Sequence, residues 1–222
     1  MVSDGVQAVR ARIAGACRRC GRPPERVRLI GVTKGRTAAQ VDALLAAGVT
    51  EIGENYLQEA QEKRAALAAQ HPTARWHLIG HLQRNKARAA VAAFETIHSV
   101  DSEALAVVLD RHAGLQHHPL DVLIQINVSG ATTKSGVPPQ AAPALVTAVR
   151  RLPHLRLLGF MTMAPAVAKP DEARPSFRQL RQLRDAIDPT LTELSMGMSD
   201  DFEVAIEEGA TMVRIGRALF GQ

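Results

Sequence analysis

Lys34 is the residue of this sequence whose type and position point most directly to chemistry. It follows the run Arg28-Leu-Ile-Gly-Val-Thr, which has the apolar character of a buried strand, so we expect its amine at the C-terminal end of that strand. Proteins built from alternating strands and helices place their reactive groups there. Packing of the lysine stem among apolar neighbours would disfavour the ammonium and leave an amine able to attack a carbonyl. The alternative is a lysine that simply extends from a strand end into solvent.

A second group of residues, near the C-terminus, is suited to hold an anion. Gly197 and Ser199 precede Asp200, where a helix is expected to begin, and they supply a hydroxyl and backbone N–H groups. Gly216 follows the last predicted strand and lets a ligand approach the backbone closely. Phosphate sites in barrels are commonly built from the loops after strands seven and eight. The pattern predicts a phosphate site, with ordinary strand-end turns as the alternative.

The elements that would position these groups alternate along the chain as short β-rich runs and Ala- and Leu-rich helical stretches. A helix is predicted from about Val6 to Cys20, and strands are predicted to begin near Arg28, Val49, Arg75, Thr96, Asp121, Arg156, Thr192 and Met212, each but the last followed by a helix. Such alternation predicts right-handed βαβ units with parallel strands. Eight strands make a (β/α)8 TIM-type barrel with an extra N-terminal helix. An open doubly wound sheet is the competing fold, but its first turn often carries glycines where this chain has a lysine.

Local signals agree with this division, and we expect one barrel domain over residues 1–222 with no second domain. Thr37 and Gln40 form the pattern of a capping box, and Gly48 stands where that helix should end. Asp200 and Glu203 give a similar start for a helix that ends at Gly209. Pro138-Pro139 is expected to open the helix after the fifth strand.

Composition excludes several classes of protein. Hydrophobic residues make up 46% and charged residues 22% of the chain, values typical of a globular protein, and no apolar run approaches the length of a membrane span. The N-terminus also lacks the apolar core of a signal peptide, so we expect a cytoplasmic protein without a membrane partner. The net charge is +5, but the arginines of one predicted helix, Arg174, Arg178, Arg181 and Arg184, have the spacing of a solvated face. Nucleic acid is therefore not expected as a partner.

The two cysteines, Cys17 and Cys20, form an isolated CxxC pattern inside a predicted helix. A zinc site would need a second pair, and a redox motif would need a strand directly before it. We expect reduced structural thiols and no metal. His77 and His98 precede their strand ends and are interpreted as histidines of the barrel interior.

Lys34, the predicted phosphate site and Arg214 together describe a site for pyridoxal 5'-phosphate. The lysine could form a Schiff base, and Arg214 precedes the second half of the phosphate site. An aspartate partner would keep the pyridine nitrogen protonated, whereas an arginine leaves it unprotonated and weakens the ring as an electron sink. At most, mild proton chemistry at an α-carbon would remain.

Several motifs, in order along nearly the whole chain, resemble those of the pyridoxal phosphate homeostasis proteins, single-domain barrels similar to the N-terminal domain of alanine racemase. They are VTKGR (32–36), GENY (53–56), HLIGHLQRNK (77–86), KSG (134–136), GFMTM (159–163), SMGMSDD (195–201) and MVRIGRALFG (212–221). The resemblance implies that Lys34 holds the cofactor as a Schiff base and that Arg214 faces the pyridine nitrogen. It further implies that Ser199, Gly216 and Arg217 bind the phosphate and that Asn55 lies near the ring.

The resemblance implies a vitamin B6 carrier that stores, delivers or buffers the cofactor, with apo-enzymes as recipients and without an established catalytic activity. We expect a monomer. The main alternative is an amino-acid racemase, which needs an acid or base on each face of the Schiff base. Tyr56 is the only tyrosine, but it follows a neighbouring strand of the same barrel, from which it is poorly placed to reach the opposite face. A lysine-dependent aldolase is a third hypothesis. The roles of Glu54, His81 and Lys134 stay open between loop structure and ligand binding.

Overall fold

Eight parallel strands form a closed barrel in sequence order, as the alternation of the sequence predicts. The protein is represented by a computed structural model that describes residues 2–116, 119–131, 134–165 and 167–221. The strands are β1 (Arg28–Val32), β2 (Glu51–Glu54), β3 (Arg75–Leu78), β4 (Thr96–Val100), β5 (Leu120–Gln125), β6 (Leu155–Met161), β7 (Glu193–Ser195) and β8 (Met212–Ile215). Pairing of β1 with β8, in which Ile30 lies beside Arg214, closes the barrel.

Helices follow the strands and cover the outside of the barrel. They are α1 (Val2–Arg19), α2 (Ala38–Ala46), α3 (Leu57–Leu67), α4 (Ala87–Ala93), α5 (Glu103–Ala113), α6 (Ala142–Arg150), α7 (Arg174–Ile187), α8 (Phe202–Glu207) and α9 (Arg217–Phe220). The first helix begins earlier than predicted, at Val2 instead of Val6. The expectation that no helix follows the last strand is wrong, because α9 adds one short turn after β8.

The apolar core is divided by the barrel wall. The larger cluster lies between strands and helices and includes Val41, Leu44 and Phe177. A smaller cluster comes from strands alone: Ile30, Leu123, Met161 and Met212. Alternate residues of a barrel strand face its interior, and in this barrel several of those interior positions are polar. Buried His77, His98, Ser195 and Arg214 occupy them.

The turns that join these elements mostly follow the sequence signals. Thr37 and Gln40 form both hydrogen bonds of a capping box at the start of α2, and Gly48 follows that helix with φ +85°. Pro139–Ala141 form a 3₁₀ turn before α6, so the proline pair precedes the helix by one turn. The prediction that α8 starts at Asp200 is wrong. The helix begins at Phe202 because the residues before it form a tight turn.

The arginines of α7 lie on a partly solvated face, as their spacing predicted, but three of them also form ion pairs that the spacing did not predict. Arg174, Arg178 and Arg181 all contact the carboxylate of Glu208, at 3.3, 2.9 and 3.3 Å. Burial raises the cost of ionising Glu208, but hydrogen bonds from Arg178 and Arg174 outweigh it and hold its pKa below the usual range. The basic side chains of α7 therefore join α7 to the end of α8. Within the described ranges, no helix is both long enough and apolar enough to cross a membrane.

Candidate functional site

A cavity of about 200 Å³ opens at the C-terminal ends of the strands. It brings together residues that are far apart in sequence and come from β1, β8 and the segments that follow β1, β2, β3, β6, β7 and β8. The lining residues are Val32, Lys34, Asn55, Ile79, Met163, Met198, Ser199, Asp200, Arg214, Gly216 and Arg217. The six residues for which sequence analysis predicted a binding role (Lys34, Asn55, Ser199, Arg214, Gly216 and Arg217) are all among them.

Lys34 stands at the mouth of this cavity and is exposed, so the expected packing of its stem among apolar neighbours is wrong. The physical reason is that β1 ends at Val32, two residues earlier, and the chain then turns through Gly35 with φ +68°. The turn carries the side chain out of the wall of the barrel. Within the described part of the chain, the Lys34 amine has no hydrogen-bond or ion-pair partner, so it is available to a ligand in the cavity.

Arg214 is the buried cation of the site, with only 4% of its surface exposed. One terminal nitrogen donates to Ser195 Oγ at 2.7 Å and the other donates to the Thr162 carbonyl at 2.8 Å. Burial lowers the pKa of Arg214 to about 10, opposed by the negative charge of Asp201. The guanidinium is therefore held rigidly by neutral acceptors while it lines the cavity.

A chain of polar side chains continues from Arg214 through the interior of the barrel. Ser195 Oγ lies 2.9 Å from His98 Nδ1, and His98 Nε2 lies 2.9 Å from His77 Nδ1. Arginine can only donate, so Ser195 Oγ accepts from Arg214. The assignment that also turns an N–H of His77 toward the Glu51 carboxylate has the Ser195 hydroxyl donating to His98 and His98 donating to His77. His77 Nε2 then faces Glu51 Oε2 at 3.1 Å, although both atoms lack hydrogen-bond alignment, so that last contact is electrostatic.

His98 is neutral in this arrangement. It is fully buried, and burial, together with the positive charges of Arg214 and Arg28, holds its pKa well below the usual value. Sequence analysis correctly placed both histidines in the barrel interior. Their link to Arg214 through Ser195 was missed, because Ser195 and His98 are 97 residues apart and no local pattern pairs them.

The turn between β7 and α8 presents backbone groups to the cavity. Gly197 has φ +91°, and a Cβ atom there would lie 2.6 Å from Ala205 Cβ, so only glycine fits. Ser199 Oγ accepts from the Ala218 N–H at 3.4 Å and links this turn to α9. Among the residues with described positions, no protein acceptor takes the backbone N–H of Ser199 or of Arg217. These free donors, with the hydroxyl, could bind an anion.

The residues present fit pyridoxal 5'-phosphate. Gly216, between β8 and α9, lines the cavity, and its side without a Cβ faces the Val32 carbonyl at an ordinary contact distance of 3.4 Å. Asp200 also lines the cavity, and its negative charge would repel a phosphate. Its carboxylate is paired with the Arg217 guanidinium, which offsets its charge. The amine, the buried guanidinium and the free N–H donors therefore match an aldehyde, a pyridine ring and a phosphate.

Apolar walls complete the cavity, and sequence analysis assigned them no ligand role. They come from Val32, Ile79, Met163 and Met198, of which the two methionines are 39% and 38% exposed. Of the two methionines in GFMTM, Met163 lines the cavity and Met161 is buried in the barrel interior. Nothing local distinguishes Ile79 or Met198 from ordinary packing residues.

Other candidates lie outside the cavity. Tyr56 is 61% exposed and lines a separate depression with Leu57 and Lys86. His81 is largely exposed and lies 3.7 Å from Asp101. Glu54 is fully buried beneath the Lys34 turn. In the described ranges, no group of three or more His, Cys, Asp or Glu side chains is arranged to hold a metal ion.

Lys134 and the two cysteines also lie apart from the cavity. The Lys134 backbone N–H donates to the Ala131 carbonyl, and its own carbonyl accepts from the Asn127 side chain, so the residue belongs to the loop after β5. Cys17 and Cys20 are free thiols in and next to α1.

Comparison with known proteins agrees with this geometry. Residues 6–222 match the family described as "Alanine racemase, N-terminal domain". A pyridoxal phosphate homeostasis protein from Pseudomonas aeruginosa is 46% identical, covering 99% of this chain and 95% of the relative. The PipY protein of Synechococcus elongatus, solved with PLP bound, is 37% identical with a TM-score of 0.85 and covers 100% of both chains. A Bifidobacterium adolescentis structure described as an unknown protein has a TM-score of 0.92 at 36% identity, covering 99% of this chain and 94% of its own. The chain thus belongs to the family of the pyridoxal phosphate homeostasis proteins, which share the barrel of the alanine racemase N-terminal domain.

Proposed function

We propose that this protein binds pyridoxal 5'-phosphate in the cavity at the barrel mouth, with Lys34 as the residue that forms the Schiff base. Its function would be vitamin B6 homeostasis, meaning storage, delivery or buffering of the cofactor. The observation that carries the proposal is the meeting of three features in one cavity: an unpaired lysine amine, a buried arginine and a turn with free N–H donors. The relatives' names and the PLP-bound PipY structure support the same ligand.

Each residue has a distinct part in the proposed binding. The bound cofactor supplies an aldehyde for an amine to attack and a ring that withdraws electrons. Lys34 provides that amine from the mouth, where it meets no competing partner. Arg214 faces the ring nitrogen as a fixed cation that donates a hydrogen bond and gives up no proton at neutral pH, so the nitrogen stays unprotonated. Asn55 lies beside the ring.

The phosphate is proposed to bind between the two C-terminal turns. Ser199 offers its hydroxyl and N–H, and Gly216 and Arg217 offer backbone donors from the turn after β8. Hydrogen bonds to a charged group contribute about 1.5–3 kcal/mol each, so these donors retain the cofactor while the Schiff base exchanges. The Arg217 side chain, paired with Asp200, limits repulsion between that carboxylate and the phosphate.

A carrier suits this cavity better than a catalyst. The Lys34 side chain and the wall residues Met163 and Met198 are exposed, so competing amines can reach a Schiff base there. Catalysis on such a cofactor calls for water exclusion and a second acid or base. We propose that apo-enzymes receive the cofactor and that the protein acts as a cytoplasmic monomer built from the single barrel domain.

The test is to locate the cofactor chemically. The purified protein is loaded with pyridoxal 5'-phosphate, its absorption spectrum is recorded, and borohydride reduction is followed by digestion and mass spectrometry. We expect a reducible absorption band and a pyridoxyl adduct on Lys34, both absent from Lys34→Ala and unchanged in the control Lys86→Ala. An adduct on Lys86 or Lys134 with Lys34 unmodified would reject the assignment.

A further inference from the structure

The turn that carries Lys34 is held from both sides by side chains of α3. On the N-terminal side, the Lys63 amine donates to the Thr33 carbonyl at 2.7 Å. On the C-terminal side, the Gly35 N–H donates to Glu59 Oε2 at 2.9 Å. The residues directly before and after Lys34 are therefore each fixed by a hydrogen bond that reaches across from a neighbouring element.

The two holding side chains belong to one network, in which Lys63 is buried and Glu59 is partly exposed. Lys63 donates to Glu54 Oε1 at 2.7 Å and to Glu59 Oε2 at 3.1 Å in addition to the Thr33 carbonyl, so all three of its N–H groups are used. Its side chain is 8% exposed and that of Glu54 is 0% exposed. The Thr33 hydroxyl also donates to Glu54 Oε1, at 2.5 Å. Use of all these donors restricts the side chains, although Glu54 Oε2 has no hydrogen-bond partner among the described residues.

Rigidity matters at this turn because few other contacts restrain it. Strand β1 ends at Val32, and no described atom lies within 4 Å of where a Cβ of Gly35, at φ +68°, would lie. Glycine imposes little conformational restriction of its own. The backbone supplies one hydrogen bond across the turn, from the Arg36 N–H to the Thr33 carbonyl at 3.0 Å, and one from the Thr33 N–H to the Gly53 carbonyl at 3.1 Å. The two bonds from α3 add restraint directly beside Lys34, so their loss should make the position of its amine less well defined.

We propose that Glu59 and Lys63 are positioning residues for Lys34, which hold the backbone of its turn so that the amine points to the cofactor cavity. This inference rests on the proposed function, since it presumes that Lys34 is the residue that forms the Schiff base. Neither positioning residue lines the cavity. Lys63 is no rival attachment residue, because its amine is fully engaged by three acceptors.

The test uses one ligand that needs Lys34 and one that does not. Pyridoxal 5'-phosphate has the aldehyde, whereas 4'-deoxypyridoxine 5'-phosphate has the same ring and phosphate without it. Dissociation constants for both are measured with wild type, Glu59→Ala and Glu59→Gln. Glu62→Ala is the matched control. Glu62 lies in the same helix and is exposed, and it accepts a hydrogen bond from the Gln58 side chain rather than from the Lys34 turn.

We expect Glu59→Ala to weaken pyridoxal 5'-phosphate binding about fivefold. This is the change in affinity that corresponds to losing one hydrogen bond, the one that holds the Gly35 N–H and thereby positions the Lys34 amine. Binding of the deoxy ligand should not change, because ring and phosphate contacts remain. Glu59→Gln keeps an acceptor for the Gly35 N–H and should lose less affinity. Glu62→Ala should bind both ligands as wild type does. A positioning role predicts this selective loss, whereas general loosening of the barrel would weaken both ligands.

A second pair of variants tests the network that anchors Lys63 on the N-terminal side of the turn. Thr33→Val removes the hydroxyl that bonds the same Glu54 oxygen as Lys63, and Thr33→Ser retains it; both keep the Thr33 carbonyl that accepts from Lys63. We expect the valine variant to show the same selective loss and the serine variant to restore binding. The inference would be overturned if Glu59→Ala and Thr33→Val bound pyridoxal 5'-phosphate with the affinity of wild type. It would also be overturned if these variants lost affinity for both ligands equally. If wild type itself forms no adduct on Lys34, the proposed function fails first and the inference falls with it.

Discussion

Lowering the pH from 7 to 5.5 should destabilise this protein through one buried histidine. His98 lies inside the barrel with no exposed surface. Its Nδ1 lies 2.9 Å from Ser195 Oγ and its Nε2 lies 2.9 Å from His77 Nδ1. A proton added to His98 would enter a closed network beside the Arg214 cation. The native protein therefore excludes that proton, while the unfolded chain accepts it.

The sign and size of the effect follow from linkage. Burial, with the charge of Arg214, depresses the pKa of His98 in the folded state. Its contribution to stability is thus complete above the unfolded pKa of about 6.5 and is lost as the pH falls below it. One proton taken up only by the unfolded state changes the free energy of unfolding by about 1.4 kcal/mol per pH unit. Between pH 7 and 5.5 the loss is about 1.2 kcal/mol.

The assay is urea unfolding of wild type, His98→Asn and His81→Gln at pH 7, 6 and 5.5. His98→Asn should be less stable than wild type at pH 7, because it breaks the network, but its further loss at pH 5.5 should be smaller by about 1.2 kcal/mol. His81 is largely exposed, so His81→Gln should keep the wild-type pH dependence. Equal pH slopes for wild type and His98→Asn would refute the assignment of a neutral, proton-excluding His98.

Other predictions concern the cavity and its turns. Gly197→Ala should lower the free energy of unfolding by about 3 kcal/mol or more, because a left-handed φ of +91° and a 2.6 Å contact with Ala205 Cβ combine strain with overpacking. The control Gly21→Ala has φ +66° and no described atom within 4 Å of the added Cβ. It should lose only about 1 kcal/mol, as measured by urea unfolding. Ser199→Ala should weaken retention of pyridoxal 5'-phosphate by about 1.5–3 kcal/mol in equilibrium dialysis, and unchanged retention would show that the hydroxyl does not bind the phosphate. Lys34→Ala should unfold within about 0.5 kcal/mol of wild type, because the side chain is exposed, and a larger loss would indicate a structural role.

Local patterns were sufficient for the fold. Each strand is apolar enough to be buried and each is followed by a helical stretch, so the right-handed parallel connection leaves few arrangements for eight units. The capping box at Thr37 and the helix-ending Gly48 also needed only neighbours within a few residues. Predicted and observed strand starts differ most at β2, by the two residues from Val49 to Glu51, because apolar character alone does not mark where pairing begins.

The residues that form the candidate site could be predicted from the sequence, because residues at the C-terminal ends of strands meet at the mouth of a barrel. Lys34, Arg214 and Ser199 could be selected because each stands at or near the end of a strand or the start of a turn. The direction of each side chain was not predictable. Whether Lys34 is buried depends on where β1 stops and on the φ of Gly35, and both depend on neighbours that only the closed barrel supplies.

By itself, the sequence determined the order of the strands, the positions of the tight turns and the types of residue delivered to the barrel mouth, because these depend on period, propensity and glycine. Only the tertiary structure decided the polar contacts across the interior. Ser195 meets His98 across 97 residues, and Lys63 meets the Thr33 carbonyl across 30. Such pairs carry no local signal, since they exist only once closure of the barrel has removed water and left each buried donor needing a partner.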